Sequence, residues 1–311
     1  MRQIAFVFPG QGAQYPGMGK ELAARFPLVE EYFQRADAAL GWPLSRLCFE
    51  GPAAELTLTE NAQPAILTLS CAVAALVQEE TGLQPAAGAG LSLGEYSALV
   101  VSGMLDFEDA VRLVARRGKY MQEAVPAGVG SMAAIFGLSD DQVEELCRQT
   151  PGIVEPANYN SPGQIAVSGE KQAVADFCTA ARAAGARRAL ELQVSAPFHC
   201  SLLQPAAEKL AADLASVEFR PPQIPVLANV DTEPISLERV RDLLARQVAS
   251  PVLWQQCVAR LAGMGIGTLI ELGPGKVLCG LARKTVPALA LHNVETPADL
   301  EKLKEAIAGW N

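Results

Sequence analysis

Gly90-Leu91-Ser92-Leu93-Gly94 stands where a run of small residues, Ala86 to Leu91, passes into a helical pattern. The residues match G-x-S-x-G, a turn in which two glycines let the chain reverse sharply and aim the serine hydroxyl from a helix N-terminus. Backbone N–H groups there stabilise an oxyanion, so Ser92 is a candidate nucleophile for acyl chemistry. Two glycines around a serine also arise by chance, and a serine before a helix is a common N-cap. The strand-to-helix context favours the nucleophile.

A serine needs a base, and the chain has two histidines, His199 and His292. The order of an α/β-hydrolase triad would place the histidine last and select His292. Leu291 to Val294, however, reads as a terminal strand and its exit, whereas His199 in Ser195-Ala196-Pro197-Phe198-His199-Cys200-Ser201 stands at an expected junction between domains. His199 is therefore the expected base, and His292 a structural residue.

The third group is Arg117. The helix expected over Asp106 to Glu123 turns Ala110, Leu113, Val114, Arg117 and Met121 inwards, and Asp109, Arg112, Arg116 and Lys119 outwards. A guanidinium on an apolar stripe is costly unless it meets an anion, and it binds a carboxylate through two parallel hydrogen bonds. The anion is either a substrate carboxylate or an internal Asp or Glu.

The elements that hold these groups suit a globular chain of 311 residues, half of them hydrophobic and 19% charged. A net charge of −9 argues against nucleic acid as the main partner. Seven scattered cysteines without a CxxC indicate neither a disulfide framework nor a zinc site, and they suit a reducing cytoplasm. The N-terminal apolar run is too short for a signal segment, and no membrane span is expected. Tyr15 replaces the third glycine of a dinucleotide loop, and Gly275-Lys276 lacks the rest of a P-loop, so no nucleotide motif survives.

The spacing predicts a strand over Ile4 to Phe8, helices over 19–40 and 64–80, a strand over 86–91 and a further helix. That alternation implies a parallel sheet covered on both faces. From Ser131 the order becomes βαββαβ: strands 132–136, 153–158, 164–168 and 189–194, with helices 140–148 and 171–184. This is a ferredoxin-like split motif. After Pro197 the first pattern resumes, with helices from about 202, 237 and 253, and strands near Val226 and over 268–272. The expected fold class is α/β: an α/β-hydrolase-like core with a parallel sheet (1–126 and 197–311) and an inserted ferredoxin-like small domain (127–196).

Eight blocks, in order, carry a resemblance: FPGQGAQYPGMG (8–19), ENAQPA (60–65), GLSLGEYSAL (90–99), RRGKYMQEAVP (116–126), NYNSPGQIAVSG (158–169), SAPFHC (195–200), RQVASPVLW (246–254) and ELGPGKVL (271–278). Together they resemble the malonyl-CoA:acyl carrier protein transacylases over nearly the whole chain. The resemblance implies Ser92 as nucleophile, His199 as base and Arg117 as the clamp for a malonyl carboxylate. It further implies an oxyanion hole from the N–H groups of Gln11 and Leu93, a Gln247 carbonyl orienting His199, and Gln63 and Asn160 as pocket residues. Many members carry histidine where Leu91 stands. Phe198 resembles the bulky residue of polyketide acyltransferases that select malonyl over methylmalonyl.

The implied enzyme needs no metal or redox cofactor. It takes malonyl-CoA and acyl carrier protein as partners, with neither nucleic acid nor membrane, and acts as a cytoplasmic monomer. Two alternatives stay open: a trans-acting acyltransferase of a polyketide synthase, and a serine thioesterase or hydrolase.

Overall fold

The computed structural model describes residues 3–126, 128–192, 194 and 196–310. Ala127, Gln193 and Ser195, which belong to the expected insert and its edges, lie outside the described residues. Among these residues the chain forms eight strands: β1 (Gln3–Phe8), β2 (Ala87–Gly90), β3 (Gly130–Phe136), β4 (Val154–Ser161), β5 (Gln164–Glu170), β6 (Arg188–Glu191), β7 (Ile266–Leu272) and β8 (Ala290–Val294). They make two sheets, β2-β1-β7-β8 all parallel and β4-β5-β3-β6 all antiparallel.

The parallel sheet is apolar on both faces, as helices on either side require. Along β1 the two-residue period sends Ile4, Phe6 and Phe8 into one core cluster, and Ala5 and Val7 into another. The 23-residue helix Thr59–Thr81 is long and apolar enough to cross a membrane, but 83% of its apolar window is buried inside the molecule. It packs against the helices Pro27–Leu40, Leu93–Val101 and Phe107–Glu123 and is a core helix.

In the antiparallel sheet the same alternation divides two surroundings. Ala133, Ile135, Ile165 and Val167 pack with residues of the helices Asp140–Gln149 and Lys171–Ala183, while Met132, Gln164 and Ala166 face a cavity shared with the parallel sheet's loops. The junction is hydrogen-bonded: Tyr159 N–H donates to Val252 O and Val252 N–H to Ala157 O, each at 2.9 Å.

Several expected elements differ. The single helix over 19–40 is two, Lys20–Arg25 and Pro27–Leu40, because the residue before a proline is driven from helical geometry: Phe26 is extended (φ −124°, ψ 110°) and Pro27 opens the second helix. Among the described residues no strand forms near Val226, only isolated bridges of Val226 to Gly88 and of Leu227 to Pro234; Pro221, Pro222 and Pro225 lack the N–H groups a ladder needs. The helix expected from Pro64 begins at Thr59 and carries Pro64 inside it. The strand expected over 189–194 is Arg188–Glu191. A C-terminal helix not expected above, Pro297–Ala308, opens on a capping box in which Thr296 and Asp299 exchange side-chain to backbone bonds.

Candidate active site

The turn that follows β2 leaves no room for side chains at its two glycines. A Cβ on Gly90 would lie 1.9 Å from the Gly94 carbonyl carbon, and one on Gly94 would lie 2.1 Å from Phe8 O. Both glycines of the motif are thus required by close backbone approach. Between them Ser92 adopts φ 54° and ψ −102°, a left-handed conformation that L residues rarely hold. It occupies the N-cap position of the helix Leu93–Val101, yet its hydroxyl caps no backbone N–H.

The Ser92 hydroxyl instead meets His199, with Oγ 2.7 Å from Nε2. Among the described residues, three non-glycine positions have positive φ, and two of them are this pair; His199 has φ 60°. The opposite ring nitrogen, Nδ1, is 2.9 Å from Gln247 O. A carbonyl only accepts, so Nδ1 carries the proton and the Nε2 lone pair faces the serine. No carboxylate is needed to set that tautomer. Burial, and then the Arg117 charge, push the His199 pKa down from 6.5 to about 4, against the pull of its backbone hydrogen bonds. The ring is a neutral base well below neutral pH.

Arg117 lies inward on its helix and is 1% exposed. Arg112 and Arg116 on the outer side are each 48% exposed at the side chain. Its guanidinium donates to Gln63 Oε1 (2.8 Å), Ser92 Oγ (3.1 Å) and Gln247 Oε1 (2.9 Å), and sits 5.3 Å from the centre of the Tyr96 ring. All three acceptors are neutral, and Nε is buried without a partner. No carboxylate oxygen is bonded directly to the guanidinium, although Glu95 lies close enough to act on its charge. A guanidinium so placed can pair with an anion that enters beside Ser92.

A cavity of about 330 Å³ opens onto the pair. Gln11, Leu91, Asn160 and Phe198 line it together with Ser92 and His199. Gln63 is not among its lining residues; it is buried behind, bonded to Arg117. Leu93, the first residue of its helix, has an N–H with no intrahelical acceptor. His292 sits on β8 with its ring 5.6 Å from that of Trp310, beside a different cavity.

Two buried residues escaped the sequence reading. Asn229 bonds Ser92 N–H through Oδ1 (2.7 Å) and Gly90 O through Nδ2 (2.8 Å), and its own N–H donates to Glu95 Oε2 (2.7 Å). Burial raises the Glu95 carboxyl to about 7, against the pull of that N–H and of Arg117. The one available signal was a polar residue inside the apolar run Val226 to Val230.

A pH profile tests the base. With His199 as the base for Ser92, kcat/KM for an acyl donor should stay level through the ordinary histidine range and fall only as the pH approaches about 4. Loss of the neutral base on acidification sets the sign. A midpoint near the ordinary histidine value would contradict a buried, cation-flanked ring.

The acyl transferase domain family matches residues 5–303. The malonyl CoA-acyl carrier protein transacylase of Escherichia coli (strain K12) is 50% identical over 301 residues, covering 96% of this chain and 97% of that protein. An acyl carrier protein S-malonyltransferase from Vibrio cholerae superposes with a TM-score of 0.94 at 45% identity, covering 97% of this chain and 100% of that one. A malonyl-transacylase solved in complex with a type II PKS acyl-carrier protein gives 0.95 at 46% identity, over 98% and 99% of the two chains. A match across almost the whole length, with a mixed α/β architecture in common, places this chain in the acyl transferase family, among the malonyl CoA-acyl carrier protein transacylases.

Proposed function

We propose that the chain transfers a malonyl group from malonyl-CoA to the pantetheine thiol of acyl carrier protein through a malonyl-Ser92 ester, in the cytoplasm and as a monomer, supplying fatty-acid synthesis. One observation carries the assignment of roles: Ser92 Oγ lies within hydrogen-bond reach of both the neutral nitrogen of His199 and the cation of Arg117. In the first half-reaction His199 Nε2 takes the Ser92 proton while Oγ attacks the thioester carbon. The carbonyl electrons move to oxygen, held by the Gln11 and Leu93 N–H groups, and return as the C–S bond breaks. The departing CoA sulfur takes the proton from His199. In the second half-reaction His199 deprotonates the pantetheine thiol, sulfur attacks the ester, and Ser92 leaves with the proton. The Gln247 carbonyl keeps the imidazole in register throughout.

Arg117 holds the malonyl carboxylate, Gln63 orients Arg117, and Asn160 and Phe198 shape the acyl pocket, where Phe198 disfavours a branched acyl group. Arg117→Ala is expected to lower malonyl loading by about 10²-fold, in line with loss of a buried charge-assisted pair, while acetyl loading rises or holds. Acylation rates with the two thioesters measure this. An equal fall for both would make Arg117 structural.

The architecture is read as an α/β-hydrolase-like core (1–126 and 197–311) with a ferredoxin-like insert (127–196). The strand order β4-β5-β3-β6 in a βαββαβ chain supports the insert, and the elbow at the end of β2 supports the core. A polyketide carrier protein is the second reading, supported by the similar complex with such a carrier; the chemistry at Ser92 is the same.

A small acidic carrier must approach a chain of net charge −9. Arg187 precedes β6 and Arg188 opens it, the strand running towards the cavity residue Leu192, and Lys284 Nζ bonds Gln164 of the cavity wall at 3.0 Å. Charge reversal at Arg187, Arg188, Arg283 and Lys284 together is expected to raise KM for the carrier protein, most strongly at low salt, with Ser92 loading unchanged. Salt-independent, unaltered carrier kinetics would move the docking surface elsewhere.

A further inference from the structure

We propose that Asn229 is a positioning residue that holds Ser92 in the conformation from which its hydroxyl reaches both His199 and Arg117. The inference rests on the reading of Ser92 as nucleophile. Ser92 has left-handed φ, and such a residue persists only where its surroundings over-determine it. Here they do so through side chains from far along the sequence. The Asn229 carboxamide spans the turn, accepting the Ser92 N–H and donating to Gly90 O. Gln247 Nε2 donates to Ser92 O at 3.0 Å and lies 3.4 Å from Asn229 Oδ1. Both backbone polar groups of Ser92 are thereby taken by side chains.

Asn229 is itself fixed. Its N–H donates to Glu95, one turn into the helix that Ser92 begins, and its carbonyl accepts from Leu253 N–H at 2.9 Å. The loop that carries it is closed by Thr232 N–H to Ala228 O (2.9 Å) and Ala228 N–H to Glu233 O (3.0 Å). Elbow, helix and loop form a closed ring, Ser92 to Glu95 to Asn229 and back to Ser92, buried except where Ser92 meets the cavity. Because the Ser92 N–H is occupied by Asn229, the oxyanion donor on this side has to be the next residue, Leu93.

With the carboxamide removed, the Ser92 N–H and Gly90 O lose their partners, the turn relaxes, and Oγ shifts relative to two groups on other segments. Displacement of about 1 Å costs rate on the order of 10²-fold. Substrate affinity depends on Arg117 and the cavity wall, which Asn229 does not line.

The test separates these. In Asn229→Ala, rate constants for Ser92 acylation by malonyl-CoA and for discharge to carrier protein, both from quenched-flow mass spectrometry, should fall by the same factor of about 10². The malonyl-CoA dissociation constant, compared between Ser92→Ala and Ser92→Ala/Asn229→Ala, should change less than about twofold, on the premise that affinity is set elsewhere. Asn229→Asp is near-isosteric and keeps the test valid if the alanine variant does not fold. Its protonated carboxyl accepts from Ser92 N–H and donates to Gly90 O, whereas the carboxylate repels Gly90 O. The charged and titratable groups around this site are Glu95, Asp231, Arg117, His199 and Cys257. Asn229→Asp should therefore be most active where protonated and lose acylation rate as pH rises, a limb the parent lacks. An unchanged acylation rate in Asn229→Ala, affinity falling in step with rate, or an Asp variant with the parent's pH profile would each overturn the proposal.

Discussion

Ser92→Ala is expected to abolish malonyl transfer, with kcat down by at least about 10⁴-fold, while the protein stays folded. Chemistry should fail because, in the proposed mechanism, Oγ bonds the acyl carbon, and among the described residues it is the Ser92 hydroxyl that is held against His199 Nε2. Folding survives because the strained turn is held by Gly90, Gly94 and the side chains of Asn229 and Gln247, none of which bonds the hydroxyl. Among the described residues two hydrogen bonds to Oγ are lost, with a stability effect of about 1–2 kcal/mol. Assay of malonyl-carrier formation beside thermal unfolding separates the two effects. Residual turnover within about tenfold of the parent would remove Ser92 from the mechanism.

His199→Ala should lower kcat by about 10²–10⁴-fold, the usual worth of general-base help. Both half-reactions should slow, since the same nitrogen takes a proton from serine in one and from the pantetheine thiol in the other. His292→Ala should be silent in the same assay. It lies on β8 beside a different cavity, with its ring tilted against that of Trp310 and away from Ser92. Comparable losses in the two variants would mean that the base is misplaced.

What was legible in the sequence was local. Gly90 and Gly94 announced the elbow because close approach leaves room only for hydrogen, and helical periodicity alone turned Arg117 inwards. Pro27 and the prolines before Val226 were local signals too, and their effect on the helix and on the expected strand was missed. What stayed hidden was held at long range. Asn229 lies 137 residues from the N–H it bonds, and nothing in its neighbourhood marks it as part of the elbow. Glu95 looks like an ordinary first-turn glutamate, yet it is fully buried beneath the loop of Asn229. Gln63, expected as a pocket residue, is buried and accepts a hydrogen bond from Arg117, a contact between residues 54 apart that no local pattern marks.

The central claim is a malonyl ester on Ser92, and peptide-level mass spectrometry of the protein mixed with malonyl-CoA tests it most directly. The expected spectrum shows a gain of one malonyl group, confined to the peptide containing Ser92 and absent from Ser92→Ala. Addition of carrier protein bearing its pantetheine thiol should discharge it. An unlabelled Ser92 peptide during turnover, or a malonyl group carried elsewhere on the chain, would contradict the account.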